Sequence, residues 1–310
     1  MQTITLGRTN LTVTTAGLGC GGFSRIGIRQ GEAHAAEIAR AAYDAGVTFF
    51  DTAAAYGTET ALGKGLAGLP RDAYVVSSKY PYRTQQGRIT PEEFWKTLHA
   101  SLAALGMEYI DVYHIHALSA ADFPYARDVL VPEMLRAREQ GKIRFLGVTE
   151  QFAVDTSHEM FKVALPADLF DVIMTGYNIL NPSAARTVLP AAIQNNVAVL
   201  CMFAVRSALS NPAQLKVDLG RILAAGQGGA GLTEDGALDF LLESGAAASL
   251  PEAAYRFCAH TPGITVTLTG TGNREHLLEN LRAINEPPLP DGALARLASL
   301  FGAVDCVSGQ

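Results

Sequence analysis

The most informative stretch of this chain is Phe49-Phe50-Asp51-Thr52-Ala53-Ala54-Ala55-Tyr56-Gly57. It predicts an apolar strand that ends in the carboxylate of Asp51, with the phenol of Tyr56 a short loop away and a helix behind it. In α/β sheets, ligands bind at the carboxyl ends of the strands, so these two groups are candidates for proton transfer. The stretch fits equally well with Asp51 capping a helix and Tyr56 packing half-buried. The rest of the chain must decide between these interpretations.

Short apolar runs alternate with helical patterns along most of the sequence. The predicted strands are Ala16–Gly19, Val47–Asp51, Tyr74–Lys79, Ile110–His116, Ile143–Thr149, Val172–Thr175, Val197–Met202 and Val266–Thr269. The predicted helices are Ala35–Ala45, Thr58–Leu66, Pro91–Leu105, Ala126–Glu139, Thr156–Val163, Ala184–Gln194 and Pro251–His260. Eight strands with helices between them predict an α/β fold, the (β/α)8 TIM barrel.

Three segments fall outside this repeat. Residues 1–14 predict an N-terminal β-hairpin, and residues 291–303 predict an extra C-terminal helix after the break at Pro287-Pro288-Leu289-Pro290. Residues 206–249 contain no good strand, and we interpret them as a long, partly helical loop insertion whose glycines form a mobile loop over the barrel mouth. No domain boundary is visible, so residues 1–310 are expected to form a single barrel domain.

Composition excludes several functional classes. The 310 residues are 48% hydrophobic with a formal charge of −6, which allows one large core. Neither the charge nor any Lys/Arg cluster supports nucleic acid as a partner, and no apolar run approaches the length of a membrane span. The four cysteines are far apart and indicate reduced thiols and a cytoplasmic location. The sequence carries no sign of oligomeric state.

Two short motifs compete for a functional interpretation. The run Gly17-Leu18-Gly19-Cys20-Gly21-Gly22 matches a dinucleotide-binding fingerprint, but the helical pattern begins only near Glu32, too late to hold a pyrophosphate at its N-terminus. These glycines instead predict a loop in which the backbone approaches a ligand or a neighbouring strand. His114 and His116 could bind a metal from one face of a strand. The other histidines lie away from strand ends, which favours one functional histidine with the other packed a layer lower, and no metal.

Lys79 ends an apolar strand, with the parity that points Val75, Ser77 and Lys79 to the same side. A buried ammonium group needs a partner, and Asp51 at the end of the preceding strand could supply one. The alternative is that Lys79 extends to solvent. Four candidate side chains are thus predicted at the C-terminal ends of three consecutive strands or in the loop just after: Asp51, Tyr56, Lys79 and His116.

At these residues the chain resembles the aldo-keto reductases, a family of (β/α)8 barrels with an N-terminal hairpin and an Asp, Tyr, Lys, His tetrad. The resemblance runs over nearly the whole chain. It is carried by Leu6-Gly7-Arg8-Thr9, by Asp51-Thr52-Ala53 through Tyr56-Gly57 to Glu59, by Ser78-Lys79, by Tyr109 to His116, by Gly141-Lys142-Ile143-Arg144 into Gly147-Val148, and by Tyr177-Asn178.

The resemblance implies an NAD(P)H-dependent oxidoreductase that interconverts a carbonyl compound (an aldehyde, ketone or sugar) and the alcohol by hydride transfer. Tyr56 would be the general acid/base, and Lys79 would lower the pKa of its phenol. Asp51 would keep Lys79 charged, and His116 would donate to the carbonyl oxygen.

The resemblance also implies positions for the cofactor, and several depart from the family pattern. Thr149 and Glu150 stand where the family has Ser-Asn, and Met174 replaces a Gln. Phe203 is expected to stack on the nicotinamide. The remaining cofactor positions are Gly270, Thr271, Gly272, Arg274, His276, Glu279 and Asn280. Either Arg274 or His276 would meet a 2′-phosphate, which favours NADP(H) slightly over NAD(H).

Three other functions stay open on the sequence alone. The chain could be an aldose dehydrogenase that works oxidatively with the same residues. It could be a cofactor-binding regulatory subunit of the same fold with little turnover, which the altered nicotinamide contacts favour. A metal-dependent barrel hydrolase would depend on His114 and His116. Substrate identity and the physiological direction cannot be predicted from the sequence.

Overall fold

Eight parallel strands form a closed barrel in the computed structural model, which describes residues 1–310. The strands follow one another around the barrel in chain order and the last pairs with the first, while residues 3–14 and residues 83–88 form two separate two-stranded sheets. The bounds are β1 (Thr3–Thr5), β2 (Thr12–Thr14), β3 (Ala16–Gly19), β4 (Phe49–Asp51), β5 (Val75–Pro81), β6 (Arg83–Thr84), β7 (Gly87–Arg88), β8 (Ile110–Leu118), β9 (Ile143–Glu150), β10 (Val172–Gly176), β11 (Ala198–Met202) and β12 (Val266–Thr269). The predicted (β/α)8 fold is confirmed.

The helices surround this barrel. They are α1 (Glu32–Asp44), α2 (Glu59–Leu66), α3 (Pro91–Leu105), α4 (Phe123–Tyr125), α5 (Val131–Glu139), α6 (Glu159–Ala164), α7 (Ala184–Thr187), α8 (Leu189–Gln194), α9 (Ser207–Ser210), α10 (Pro212–Ala224), α11 (Phe240–Glu243), α12 (Leu250–Ala259), α13 (Arg274–Asn285) and α14 (Asp291–Phe301). The helix predicted over residues 184–194 is divided into α7 and α8, because Pro190 lies in the first turn of α8 and has no N–H to continue α7. None of the helices combines the length and apolar character that crossing a membrane requires.

The predicted N-terminal hairpin pairs β1 with β2 in antiparallel fashion and closes the end of the barrel away from the strand C-termini. Leu6 and Val13 are fully buried and pack with the residues that fill the barrel interior. Arg8 fixes the hairpin to the barrel through ion pairs with Asp168 (2.6 Å) and Asp171 (3.1 Å). One end of the barrel is therefore sealed, and any ligand must enter at the other.

Side-chain parity within the strands follows the sequence prediction. On β4, Phe49 packs in the barrel interior while Phe50 packs outward against the helices. On β8, Val112 packs with the same interior residues. Because alternate residues of a strand share a face, His114 and His116 follow Val112 as successive layers toward the open end.

Residues 206–249 contain α9, α10 and α11 and pack with α12 and α14 around a second apolar cluster. The glycine-rich residues 225–231 do not line the cavity at the barrel mouth, contrary to the expectation that they cover it. Gly229 instead donates its N–H to Leu300 O, and a Cβ at Gly229 would lie 1.7 Å from Ser299 O. These glycines allow the chain to approach the backbone of α14 closely.

Candidate functional site

A single large cavity opens at the C-terminal ends of the barrel strands. Its volume is about 1020 Å³, at the upper end of the roughly 300–1,000 Å³ that is typical of ligand sites. Tyr56 and His116 line one part of it, and Glu279 and Asn280 line another. Tyr56 and His116 of the tetrad and the predicted adenine-binding residues therefore face the same cavity, as one extended ligand would require.

Beneath the cavity, Lys79 and Asp51 form a buried ion pair. Lys79 Nζ lies 2.6 Å from Asp51 Oδ2, and the side chains are 0% and 4% exposed. Lys79 also donates to Thr52 O at 2.7 Å, and Ser77 Oγ donates to Asp51 Oδ1 at 2.7 Å. Burial lowers the pKa of Lys79, but the Asp51 carboxylate and the Tyr56 phenol together more than offset this effect, so the net pKa lies above that of an ordinary lysine. The interpretation in which Lys79 extends to solvent is wrong.

Tyr56 is the link between this pair and the cavity. Lys79 Nζ lies 5.0 Å from the centre of the Tyr56 ring, and Tyr56 Oη lies 3.5 Å from His116 Nε2, at the outer limit of a hydrogen bond. Burial raises the pKa of Tyr56, and the charge of Lys79 opposes that effect without cancelling it. Lys79 thus acts on the pKa of this phenol in the direction that the sequence predicts, while burial keeps the net pKa above its usual value.

The two histidines of β8 have different environments. His116 faces the cavity, and burial together with the charge of Lys79 lowers its pKa to about 3, so the ring is neutral near pH 7. A neutral imidazole has one N–H, which it can donate to a carbonyl oxygen. His114 is fully buried one layer lower, against Gly147, where a Cβ would lie 2.2 Å from His114 Nδ1. No group of three or more His, Cys, Asp or Glu side chains is arranged to hold a metal ion.

The glycines after β3 lie beside the tetrad, as the sequence predicts for a loop of close backbone approach. A Cβ at Gly21 would lie 2.5 Å from the Tyr56 ring, so the absence of a side chain leaves room for the phenol. The chain then continues through a loop and short 3-10 turns, and α1 begins only at Glu32. This geometry is not that of a Rossmann fingerprint, in which the glycines lead directly into a helix.

The predicted nicotinamide-binding residues lie around the tetrad. Thr149, Met174, Met202 and Phe203 all line the cavity. Thr149 Oγ1 accepts a hydrogen bond from Ala117 N (2.7 Å), which leaves its hydroxyl proton available for a ligand. Met202 is on β11, and Phe203 follows it with a positive φ of 66°. The residue predicted to stack on the nicotinamide therefore lies directly after the end of the strand, in left-handed backbone conformation.

The carboxylate of Glu150 is held by hydrogen bonds to other residues of the protein. Its carboxylate is within 2.9 Å of His158 Nδ1 and accepts hydrogen bonds from Thr175 Oγ1 (2.8 Å) and Gly176 N (2.8 Å). His158 Nε2 lies 2.9 Å from Ser183 Oγ. This Glu, His, Ser chain has the connectivity of a nucleophilic triad, but all three side chains are buried. Both carboxylate oxygens already have partners within the protein, so this network supports the wall of the cavity.

The buried Glu150 network gives a first testable prediction. Replacing Glu150 with Ala leaves three buried donors without an acceptor, at a cost of about 1–3 kcal/mol each. We expect a loss of ~3 kcal/mol or more in the free energy of unfolding, measured by urea denaturation. Glu37→Ala, at an exposed position of α1, is the matched control and should change stability by less than about 0.5 kcal/mol. An equal effect of both substitutions would contradict the structural role of Glu150.

The predicted phosphate and adenine end is built by the loop between β12 and α13. A Cβ at Gly270 would lie 2.3 Å from Gly19 O, and one at Gly272 would lie 2.7 Å from the Cα of Gly27, so both glycines allow close packing of this loop. Of the two candidates for a 2′-phosphate ligand, His276 lines the cavity, whereas Arg274 is exposed at the start of α13 and does not. Asn280 lines it too and donates to Thr269 Oγ1 at 3.0 Å.

Sequence reasoning missed several residues that line this cavity, among them Arg206, Tyr255 and Arg282. Tyr255 is on α12, and its hydroxyl lies 2.8 Å from Thr269 Oγ1. Arg206 follows β11, within the segment interpreted as a loop insertion. A single Arg shortly after an apolar strand could have indicated Arg206 as a cavity residue. It was overlooked because the sequence does not fix which residue after Met202 faces the cavity.

Comparison with known proteins places this barrel in a family. The profile of the Aldo/keto reductase family matches residues 17–301. The chain is 29% identical over 174 residues to L-galactose dehydrogenase from Arabidopsis thaliana, which is 54% of this chain and 50% of that protein. It is 28% identical over 209 residues to D-threo-aldose 1-dehydrogenase from Pseudomonas sp. This match covers 58% of this chain and 62% of that protein.

A third relative is NADH-specific methylglyoxal reductase from Escherichia coli K12, 29% identical over 226 residues, 64% of this chain and 66% of that protein. The matches thus span between about half and two thirds of these relatives. Among solved structures, the holo form of an aldo-keto reductase from Bacillus halodurans superimposes with a TM-score of 0.76 at 23% identity and covers 98% of this chain and 97% of its own. That similarity shows the shared fold.

Proposed function

Because the chain belongs to the aldo/keto reductase family, we propose that it is an NAD(P)-dependent oxidoreductase that interconverts a small carbonyl compound and its alcohol, with Tyr56 as the general acid/base. The observation that supports this most is the arrangement of Asp51, Lys79, Tyr56 and His116 at adjoining strand ends around one cavity. Members of the family are NAD(P)-dependent oxidoreductases, and the relatives above include two sugar dehydrogenases and a methylglyoxal reductase.

The chemistry supplied by a bound nicotinamide is hydride transfer to or from the carbonyl carbon. In the reductive direction, Tyr56 donates its phenolic proton to the oxygen as negative charge develops there. Lys79 favours the resulting phenolate by its charge, and Asp51 holds Lys79 in place. His116, neutral and beside Tyr56, donates an N–H to the same oxygen and orients it.

A dinucleotide cofactor fits the residues present, with one exception. The cavity is continuous from Tyr56 to Asn280, and the Gly270-Thr271-Gly272 loop leads into the N-terminus of α13, a favourable place for phosphate groups. The exception is Glu150, which hydrogen-bonds within the protein and offers the nicotinamide no amide group. The preference for NADP(H) over NAD(H) stays a prediction, and the exposed position of Arg274 weakens it.

One set of assays distinguishes the two directions of this reaction, oxidation of a sugar and reduction of a carbonyl compound. An aldose dehydrogenase would reduce NAD(P)⁺ with sugars, and a reductase would oxidise NAD(P)H with aldehydes and ketones. We expect turnover in at least one direction, followed at 340 nm with each cofactor against sugars, aldehydes and ketones. Cofactor binding with no turnover in either direction would favour the regulatory subunit and overturn the proposed activity.

The phosphate loop gives a second prediction. Gly270→Ala places a methyl group against Gly19 O and must displace the loop, because backbone cannot yield as a flexible side chain does. We expect the Kd for NAD(P)H, measured by fluorescence titration, to rise about tenfold, which corresponds to ~1.4 kcal/mol. Gly292→Ala is the matched control, because a Cβ at Gly292 meets no atom within 4 Å. An unchanged Kd in Gly270→Ala would show that this loop does not hold the cofactor.

A further inference from the structure

Arg206 places a cationic side chain in the cavity beside the tetrad. Its guanidinium carbon lies 3.6 Å from the centre of the Phe203 ring. Its Nη1 lies near the loop after β3, 3.4 Å from where a Cβ of Gly22 would be. The stem of the side chain is close to Gly309, so the guanidinium is held between neighbouring segments at the cavity.

The guanidinium of Arg206 has no acceptor within the protein. It forms no ion pair and donates no hydrogen bond, and only the backbone carbonyl of Arg206 is used, by Leu209 N at 3.0 Å and by Ser210 Oγ. A guanidinium carries five N–H donors. Burial lowers the pKa of Arg206, and the group stays charged because an ordinary arginine titrates far above neutrality. A half-buried cation without a partner is costly unless a ligand supplies the acceptor.

Three acidic side chains that line the cavity already have a partner within the protein. Asp51 binds Lys79, Glu150 binds His158, and Glu252 binds Arg256 at 3.0 Å. The remaining charged side chains of the cavity, Glu279 and Arg282, project from α13 at the predicted adenine end. Arg206 is therefore the free cation of the catalytic end. A Cβ at Gly21 would meet the Tyr56 ring and one at Gly22 would meet Arg206 Nη1, so two adjacent residues of one loop lie beside both groups.

We propose that Arg206 binds an anionic group of the substrate, and that the preferred substrates are carbonyl compounds that carry a carboxylate. This inference rests on the proposed function, because it assigns a substrate class to the same site. A carboxylate matches the planar fork of a guanidinium in a bidentate geometry. The Phe203 ring beneath the guanidinium fixes its plane and leaves its N–H edges for the ligand.

The test compares acids with their neutral esters: 4-carboxybenzaldehyde with methyl 4-formylbenzoate, and pyruvate with methyl pyruvate. In the wild type we expect kcat/KM to be at least tenfold higher for the acid of one pair. In Arg206→Met that acid-to-ester ratio should fall at least tenfold, mainly through KM. Arg206→Lys should retain part of the preference, because lysine keeps the charge without the fork. Arg138→Met, at an exposed position of α5, should leave the ratio unchanged.

The cofactor diphosphate is the other source of an anion in this cavity, and a second measurement distinguishes it. If Arg206→Met raises the Kd for NAD(P)H tenfold and leaves the acid-to-ester ratio unchanged, Arg206 binds the cofactor and the proposal is overturned. An unchanged ratio with unchanged cofactor affinity overturns it as well.

Failure of the proposed activity gives a different pattern. If no carbonyl compound is turned over, the enzyme and cofactor complex is titrated with 4-(hydroxymethyl)benzoate and its methyl ester, with protein fluorescence as the readout. Binding of the acid that Arg206→Met weakens tenfold or more supports the anion site without turnover. Equal binding of acid and ester overturns it.

Discussion

Tyr56→Phe is expected to lower kcat by about 10³-fold or more while NAD(P)H still binds, because the variant keeps the ring and removes the only proton that the phenol can give. The ring itself packs beside His116, with centres 5.5 Å apart, and above Lys79, so Phe preserves the shape of the site. Steady-state kinetics with the best substrate and a fluorescence titration of the cofactor measure the two effects separately.

The matched control is Tyr43→Phe, on α1 and away from the cavity, which removes an equivalent hydroxyl. Its kcat should stay within a factor of two of the wild type. Normal turnover in Tyr56→Phe would remove the phenol from the reaction and leave His116 as the remaining proton donor of the tetrad. A parallel loss of cofactor binding would instead indicate a structural role for Tyr56.

Lys79→Met is expected to lower both activity and stability. The variant leaves the Asp51 carboxylate buried without its counter-ion, and breaking such a pair from one side costs about 3–5 kcal/mol. The loss of positive charge beneath Tyr56 should also disfavour the phenolate and reduce kcat by ~10²-fold or more. Urea denaturation and steady-state kinetics measure the two losses.

A double variant separates the two effects of Lys79. In Asp51→Asn/Lys79→Met neither buried charge remains, so we expect most of the lost stability to return, since a neutral replacement of a buried ion pair is often close to neutral in free energy. Activity should stay at the level of Lys79→Met. Recovery of turnover along with stability would show that Lys79 acts only by holding the fold, and would contradict its effect on the Tyr56 phenol.

Local sequence was sufficient to predict the barrel, whereas the grouping of Asp51, Tyr56, Lys79 and His116 as a tetrad rests on the resemblance to the aldo-keto reductases. Apolar runs identify the strands, and Asp51, Lys79 and His116 each come at or near the end of one. The Glu150 network could not be predicted, since His158 reaches Glu150 from the turn before α6 and Ser183 from the segment before α7. Arg206 was missed for a related reason: the positive φ of Phe203 turns the chain after β11, and periodicity does not reveal such a turn.

The same limit applies to titration behaviour. The sequence indicates that a lysine beside a tyrosine lowers the pKa of the phenol, and this is the sign of the Lys79 effect. It does not give the depth at which both groups lie, and burial raises the pKa of Tyr56 by more than Lys79 lowers it. Patterns of residues thus predict which groups meet, whereas desolvation depends on the packing of the whole barrel.

The N-terminal hairpin has a consequence for the order in which the molecule assembles. Its anchors lie far along the chain: Arg8 pairs with Asp168 and Asp171, and Arg8 N donates to Asn196 O at 2.7 Å. The barrel itself closes when β12 pairs with β3, with Thr267 opposite Ala16. The hairpin therefore gains these anchors only when residues 168–196 are available to bind it. We expect contacts of such long range to slow folding, because chain entropy must be lost before the contacts can form.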